Sequence, residues 1–275
     1  MRVAVVVHVR TPASRPSALV PDLCRRLVGH GCTVEILTPD EGSFDLARVR
    51  PAHDLYVMNS GTETALSFSG ALHAQGARIM NPYPVAAASW DRVVQTRVLL
   101  DAGIPVPQSW VTSDPMTLAP QLAQGPLVLK PARGSRGLGT WVSRTGAELQ
   151  ALAGVTPWLV MRYCEPDGLD LKLYRIGDDV FGVECVRTDQ SQGTKFCRPF
   201  PVTAELRELV RWCGEPFGIG TYGVDVVFSQ GRPMVVDMTV FPEFRGVPDA
   251  GSRLGDYVFG HGVEVAERAA RELVT

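Results

Sequence analysis

Short apolar runs alternate with segments of helical spacing along the first 85 residues. Residues 3–7 form a continuous apolar run, as expected for a strand covered on both faces. Residues 17–30 place Leu19, Leu23 and Leu27 on one helical stripe, with Gly31 just past its end. Further strands are predicted at 33–37, 54–58 and 77–80, and a further helix at 62–75.

This alternation of strands and helices predicts a parallel, doubly wound α/β sheet. Open sheets of this kind place ligands at the carboxyl ends of their strands, where residues 9–16 and 59–61 form loops. No G-x-G-x-x-G sequence follows the first strand, so we do not expect a dinucleotide site of the usual type.

The pattern changes at residues 81–84, Asn-Pro-Tyr-Pro, which we interpret as a domain boundary. Beyond it the periodicity predicts helices at 90–102, 203–213 and 254–273 and a short amphipathic segment at 147–153. Strands are predicted at 158–164, 171–176, 180–186, 222–228 and 233–238. The predicted domains are residues 1–88, 89–163 and 164–275.

A glycine-rich hairpin is predicted at residues 125–142. Its first strand ends at Lys130, and its loop contains Gly134, Ser135, Gly137 and Gly139. Glycines allow consecutive backbone amides to turn toward one anion, and Lys130 adds a positive charge beside them. The hairpin is a candidate phosphate-binding loop; the alternative is a surface hairpin with an exposed lysine.

A second hairpin carries acidic residues at strand positions. Asp225 and Asp237 lie among valines, and Thr239 falls on the same face as Asp237 because side chains alternate along a strand. Burying a carboxylate is costly unless it is paired or binds a metal. Two such groups facing a triphosphate suit Mg²⁺; alternatively, one aspartate faces solvent on an edge strand.

The composition argues against some classes of partner but does not assign a function. The 275 residues carry a formal net charge of −2, which gives no sign of a nucleic-acid or membrane partner. The N-terminus reads as a strand and not a signal peptide, so we expect a cytoplasmic protein. The six cysteines form no C-x-x-C pair, and reduced thiols are expected, although Cys185 and Cys197 could meet across a hairpin.

In this order the motifs resemble the ATP-grasp superfamily, over essentially the whole chain. Asn81-Pro82 with Asp91-Arg92 is similar to the NxP…DK motif, and LVLKPARGSRGLG to the lysine strand and glycine-rich lid. Asp225 with Asp237-Met238-Thr239 is similar to the D…(E/D)-x-N metal triad. The tail VVDMTVFPEFRGVPDA looks most like RimK-type ligases and the superfamily's inositol-phosphate kinases.

The resemblance implies an ATP-grasp fold with an N-terminal Rossmann-like (pre-ATP-grasp) domain, and it implies ATP and Mg²⁺ as cofactors. The implied metal ligands are Asp225, Asp237 and Thr239. The implied catalytic cations, near the γ-phosphate and the acyl group, are Arg187, Lys195 and Arg198. The implied nucleotide-binding residues are Arg92, Lys130, Gly134, Ser135, Gly137, Gly139, Arg162, Tyr163, Cys164, Asp170 and Lys172.

Three residues depart from the family pattern. Thr239 stands where asparagine is usual, Glu243 where glycine is usual, and Arg92 where lysine is usual. The first two changes allow either an altered metal site or a nucleotide-binding protein that has lost catalysis.

The first expectation is therefore a carboxylate–amine ligase that forms an acyl phosphate from a small-molecule or peptide carboxylate and transfers it to an amine. An ATP-grasp small-molecule kinase of the inositol-phosphate type is the alternative enzyme, although a polyphosphate site should be more basic than this chain. A nucleotide-binding scaffold protein is the non-enzymatic alternative. The oligomeric state, including a homodimer, is left open.

Overall fold

The computed structural model describes residues 1–7, 18–134, 139–152, 157–168, 170–186 and 196–272. Its strands form three sheets, each built from one of the three segments predicted as domains. The exact boundaries at 88 and 163 stay a proposal. No helix in the described part of the chain is long and apolar enough to cross a lipid bilayer.

The first sheet is parallel, with the strand order β2-β1-β3-β4. It confirms the predicted alternation, because buried β-branched runs form its central strands and the Leu19 stripe of α1 packs on it. The elements are β1 (Arg2–Val7), α1 (Leu19–Gly29), β2 (Thr33–Leu37), β3 (Leu55–Asn59), α2 (Glu63–His73) and β4 (Ile79–Met80), with a 3-10 turn at Pro39–Glu41.

Within residues 81–84, interpreted above as a domain boundary, regular structure resumes at Tyr83. A helix, α3 (Tyr83–Trp90), begins there, and Pro84 lies in its first turn. Proline is tolerated at that position because the first amides of a helix have no intrahelical acceptor. The next helix, α4 (Arg92–Asp101), follows directly, and the Asp91 carboxylate accepts hydrogen bonds from the amides of Val93 and Val94.

The second sheet is antiparallel, in the order β5-β8-β6-β7, and contains the glycine-rich hairpin. The hairpin is confirmed, with Leu127 opposite Ser143. Leu149 and Trp158 fill the core beneath it. The elements are β5 (Ser109–Thr112), a 3-10 segment (Pro115–Gln124), β6 (Leu127–Pro131), β7 (Trp141–Ser143), α5 (Gly146–Gln150) and β8 (Trp158–Arg162); β5 and the 3-10 segment were not predicted.

The third sheet is antiparallel, in the order β11-β10-β9-β12-β13, and α6 covers one of its faces. Both predicted hairpins are present, and β11, which was not predicted, places Cys197 opposite Cys185 in register. The elements are β9 (Asp170–Ile176), β10 (Asp179–Val186), β11 (Phe196–Phe200), α6 (Ala204–Gly214), a 3-10 turn (Glu215–Phe217), β12 (Thr221–Ser229) and β13 (Arg232–Thr239).

The last helix, α7 (Ala250–Glu272), returns to the first sheet. Leu254 and Val258 share a core with β1 and with the face of the third sheet opposite α6. The approach to α1 is close: a Cβ at Gly251 would lie 2.8 Å from the backbone oxygen of Leu19. Glycine at that position therefore lets α7 join the first and third sheets.

Candidate active site

Lys130 extends from the end of β6 toward β13 in the third sheet. Its Nζ donates to the backbone oxygen of Val236 at 2.7 Å and lies 3.4 Å from Asp237 Oδ2. The side chain is buried, so the charge is held in place by these partners instead of by water. Lys130 of the glycine-rich hairpin and Asp237 of the second predicted hairpin therefore lie next to each other.

Arg92 approaches the same aspartate from the first turn of α4. Its Nε lies 3.9 Å from Asp237 Oδ2, while its Nη1 donates to the Pro131 carbonyl at 3.0 Å. Its backbone amide also donates to the carbonyl of Ala132 at 2.8 Å. Arg92 therefore ties the end of the lysine strand to α4 and places a second cation beside Asp237.

Asp225 and Asp237 lie directly opposite each other on β12 and β13. Residues opposite each other in an antiparallel pair share one face, so the two carboxylates lie side by side. A β-bulge follows, because Val226 pairs with Val235 and Val236 has no cross-strand partner. The carbonyl of this bulged residue is the one that accepts from Lys130. No sequence signal indicated the bulge.

Lys172 on β9 completes a row of charges across the sheet. It lies opposite Asp225, and its Nζ is 2.5 and 2.7 Å from the two carboxylate oxygens. In order, the row is Lys172, Asp225, Asp237 and Lys130, so a cation flanks each aspartate. The two negative charges are neighbours because each is compensated from its outer side.

This pair of aspartates fits Mg²⁺ that also binds a nucleotide. Among the described residues, no group of three histidine, cysteine, aspartate or glutamate side chains surrounds a common point. Mg²⁺ is commonly held by one or two carboxylates together with phosphate and water oxygens, and Asp225 with Asp237 provides that number. Thr239, exposed and opposite Gly223, lies on the same face and offers a hydroxyl.

The ends of the glycine-rich loop are described, whereas Ser135 and Gly137 lie outside the described residues. Gly134 and Gly139 both have positive φ angles, 131° and 77°. A Cβ at Gly139 would lie 2.6 Å from the ring of Trp141, so no other residue fits there without moving the ring. Gly134 lies close to Arg92: a Cβ built on it would be 3.9 Å from the arginine Nη1.

The predicted nucleotide-binding residues Arg162, Tyr163 and Cys164 have other partners in this structure. Arg162 donates from its side chain to the carbonyls of Gln121 and Gly125, and its guanidinium stacks 5.3 Å from the centre of the Trp110 ring. The backbone amides of Arg162 and Tyr163 donate to other carbonyls of the same sheet region. Burial raises the pKa of the Cys164 thiol. Contact of these three residues with the nucleotide stays a prediction.

Of the predicted catalytic cations, Arg198 is described, and the structure does not bring it together with the two aspartates. Arg187 and Lys195 lie outside the described residues. Arg198 on β11 forms an ion pair with Glu184, and the strand register places both on the face of the sheet opposite Lys172. Asp170, two residues before Lys172, lies on the same face as that lysine.

Two residues near the site were not singled out from the sequence. Gln95 on α4 donates to the carbonyl of Met238. Tyr174 follows Lys172 on the same face, and burial, together with the negative charges of Asp225 and Glu243, raises its pKa despite the opposing effect of Arg245. The period-2 pattern of β9 could have identified Tyr174. Nothing in the sequence indicates the contact of Gln95.

No family model matches the chain. Among curated relatives, the ribosomal protein bS6–L-glutamate ligase of Escherichia coli is 23% identical over 260 residues, spanning 82% of this chain and 85% of the relative. Among solved structures, the RimK domain protein ATP-grasp from Sphaerobacter thermophilus DSM 20745 superposes with a TM-score of 0.76 and 21% identity, over 94% of this chain and 99% of that one.

The chain has the ATP-grasp fold. The resemblance predicted from the motifs is thereby confirmed, including the α/β class of the fold. A second structure of this fold is the ATP-grasp ligase PsnB complexed with minimal precursor, Mg and ADP, with a TM-score of 0.68 and 17% identity over 94% of this chain and 97% of PsnB. The curated relative and PsnB are both ligases by name.

Proposed function

We propose that the protein is an ATP-dependent ligase that joins a carboxylate to an amine and releases ADP and phosphate. The observation that carries the proposal is the convergence of Lys130 and Arg92 on Asp237, which lies beside Asp225 on an ATP-grasp fold. Cations next to paired carboxylates suit a triphosphate that arrives with a divalent metal. The similarity to ligases with the same fold supports the choice of reaction.

In the proposed complex, Lys130 and Arg92 bind the α- and β-phosphates. Gly134, Ser135, Gly137 and Gly139 form the loop that covers them. Asp225 and Asp237, with the hydroxyl of Thr239, hold Mg²⁺, which when bound neutralises charge on the phosphate oxygens. Lys172, on the outer side of Asp225, is assigned to the transferred phosphoryl group, and Arg162, Tyr163, Cys164 and Asp170 keep their predicted nucleotide contacts.

The proposed reaction has two steps. A carboxylate oxygen of the acid substrate attacks the γ-phosphorus, the bond to the bridging oxygen breaks, and ADP leaves with that electron pair. The amine then attacks the acyl carbon and displaces phosphate, and the proton lost from nitrogen passes to the released phosphate or to water. Neither step requires a protein nucleophile. Of the predicted cations near the reacting groups, Arg187 and Lys195 are retained, and Arg198 is disfavoured by its position beside Glu184.

The alternative of an inositol-phosphate-type kinase receives less support. Around Asp225 and Asp237 the described charges are balanced. Lys130, Arg92 and Lys172 face the two aspartates, Asp170 lies on the same face as Lys172, and Glu243 near Tyr174 is paired with Arg245. A polyphosphate substrate would require a clear excess of positive charge. The substrates that we propose are an amino acid or peptide carboxylate and an amine.

The test is ADP release by the purified protein with Mg²⁺ and pools of amino acids and peptides, with and without hydroxylamine. A ligase should release ADP only when a suitable acid is present, and hydroxylamine should convert the activated acid into a hydroxamate that mass spectrometry detects. A phosphate ester that survives hydroxylamine would show a kinase instead. Substrate-independent ADP release, or none with any pool, would count against the ligase.

A further inference from the structure

β13 is the last strand of its sheet, and no strand among the described residues pairs with its outer edge. Backbone carbonyls on such an edge need other donors when they are buried. Three alternate residues of this segment each accept one hydrogen bond from a side chain. The bonds are Lys130 Nζ to Val236 O (2.7 Å), Gln95 Nε2 to Met238 O (3.0 Å) and Asn81 Nδ2 to Val240 O (3.0 Å).

The three donors come from three different elements and are almost completely buried. Lys130 on β6 is 7% exposed, Gln95 on α4 is 3% exposed, and Asn81 after β4 is 2% exposed. Their spacing along β13 follows from the two-residue repeat of a strand, which points alternate carbonyls to the same edge. The outer edge of β13 is therefore held by these three side chains, together with one backbone bond from the Val235 amide to the Pro105 carbonyl.

Gln95 differs from the other two donors in what its bond restrains. Met238 lies between Asp237 and Thr239, and its carbonyl is the acceptor for Gln95. The amide of Met238 in turn donates to Asp237 Oδ1 at 3.0 Å. One residue thus links the buried glutamine to the carboxylate that we assign to Mg²⁺. Asn81 acts one residue beyond Thr239, where it also donates to the carbonyl of Thr221.

We propose that Gln95 is a positioning residue for Asp237 and Thr239, an inference that rests on the proposed function. Mg²⁺ requires nearly ideal octahedral geometry, so a small shift of one ligand weakens binding. Partners outside the ligand shell are known to alter metal affinity by about tenfold or more when they are removed. A glutamine that served stability alone would affect the melting temperature and leave metal affinity unchanged.

The experiment compares Gln95→Met and Gln95→Glu with the wild-type protein. Met has a similar volume but no donor, and an ionised Glu offers only acceptors to the Met238 carbonyl. Thr96→Val is the matched control, because it changes a buried residue next to Gln95 with little change of shape. Mn²⁺ affinity is measured by electron paramagnetic resonance with a non-hydrolysable ATP analogue, and the melting temperature is recorded without metal.

We expect both Gln95 variants to bind Mn²⁺ about tenfold more weakly, and Thr96→Val to match the wild type. Metal-free binding of the ATP analogue should stay unchanged in all of them. Wild-type Mn²⁺ affinity in either folded Gln95 variant would overturn the inference. Asp237→Asn separates the two levels: if it also keeps wild-type Mn²⁺ affinity, the metal assignment in the proposed function fails as well.

Discussion

Asp237 and Asp225 are neighbours across two strands, yet the protein holds them differently. Asp237 is 24% exposed, lies near both Lys130 and Arg92, and accepts the amide of Met238. Asp225 is 43% exposed, and its described hydrogen bonds both come from Lys172. One carboxylate is fixed by several groups from different elements, whereas the other is held by a single flexible ammonium.

The difference indicates that the two carboxylates have different roles in the proposed metal site. Asp237 is positioned before any ligand arrives, because its strand is anchored along the outer edge. Asp225 must exchange the ammonium of Lys172 for a metal ion. A partly exposed ion pair contributes little stability in water, so this exchange costs little free energy. We therefore expect Asp237 to fix the geometry of the site and Asp225 to complete it.

The largest effect is expected from Asp237→Asn. Removal of the charge from the fixed ligand should lower turnover on the order of a hundredfold or more, because the metal stabilises charge developed during phosphoryl transfer. ADP release under saturating substrates measures the effect, and Asp45→Asn, at an exposed surface position, is the charge-matched control. Full activity in Asp237→Asn would refute the metal assignment.

Asp225→Asn should be less damaging and recoverable. Loss of ligand charge lowers metal affinity, and we expect about tenfold more Mg²⁺ to be needed for half-maximal activity. At high Mg²⁺ the variant should regain most of its turnover, unlike Asp237→Asn. If the two variants lose the same activity and neither responds to Mg²⁺, the proposed difference between the two carboxylates does not exist.

A smaller effect, of opposite sign, is expected from Lys172→Met. Without the competing ammonium, Asp225 should bind Mn²⁺ more readily in the absence of nucleotide, by up to about fivefold given the modest strength of exposed ion pairs. Arg232→Met, which removes a cation from the exposed start of β13, is the control. Weaker Mn²⁺ binding in Lys172→Met would show that the lysine supports the site instead of competing for it.

The smallest effect is expected at Thr239. Its exposed hydroxyl can contribute one neutral oxygen, so Thr239→Ala should lower turnover by no more than about threefold, the size of one weak neutral hydrogen bond. Thr239→Asn should preserve or improve turnover. If the wild type is inactive and Thr239→Asn gains activity, the wild-type site has lost catalysis.

The sequence was informative wherever a pattern is local. Buried valine runs predicted β1, and the Leu19, Leu23 and Leu27 stripe predicted α1, because each repeats with the period of its own element. The short strands β5 and β11 lie at sheet edges and carry weak patterns, so neither was predicted. The helix α3 was missed because its Tyr83-Pro84 start resembles a break.

The site was predictable as a set of residues but not as an arrangement. Lys130, Asp225 and Asp237 were selected by residue type and motif order, and the structure brings them together. The bulge at Val236 and the bond from Gln95 depend on how α4 and β6 pack against β13. Contacts between residues more than a hundred positions apart leave no periodic signal in a single sequence.

Binding of ATP with Mg²⁺ tests the central claim most directly, by a thermal shift of the wild type and of Lys130→Met. At about one hundred times the dissociation constant, a ligand specific for the folded state stabilises it by about 2.7 kcal/mol, which corresponds to a rise of about 5–10 °C for a protein of this size. The wild type should show such a rise with ATP and none with NAD, and Lys130→Met should lose most of it. An equal shift in Lys130→Met, or a wild type that responds to NAD and not to ATP, would contradict the account.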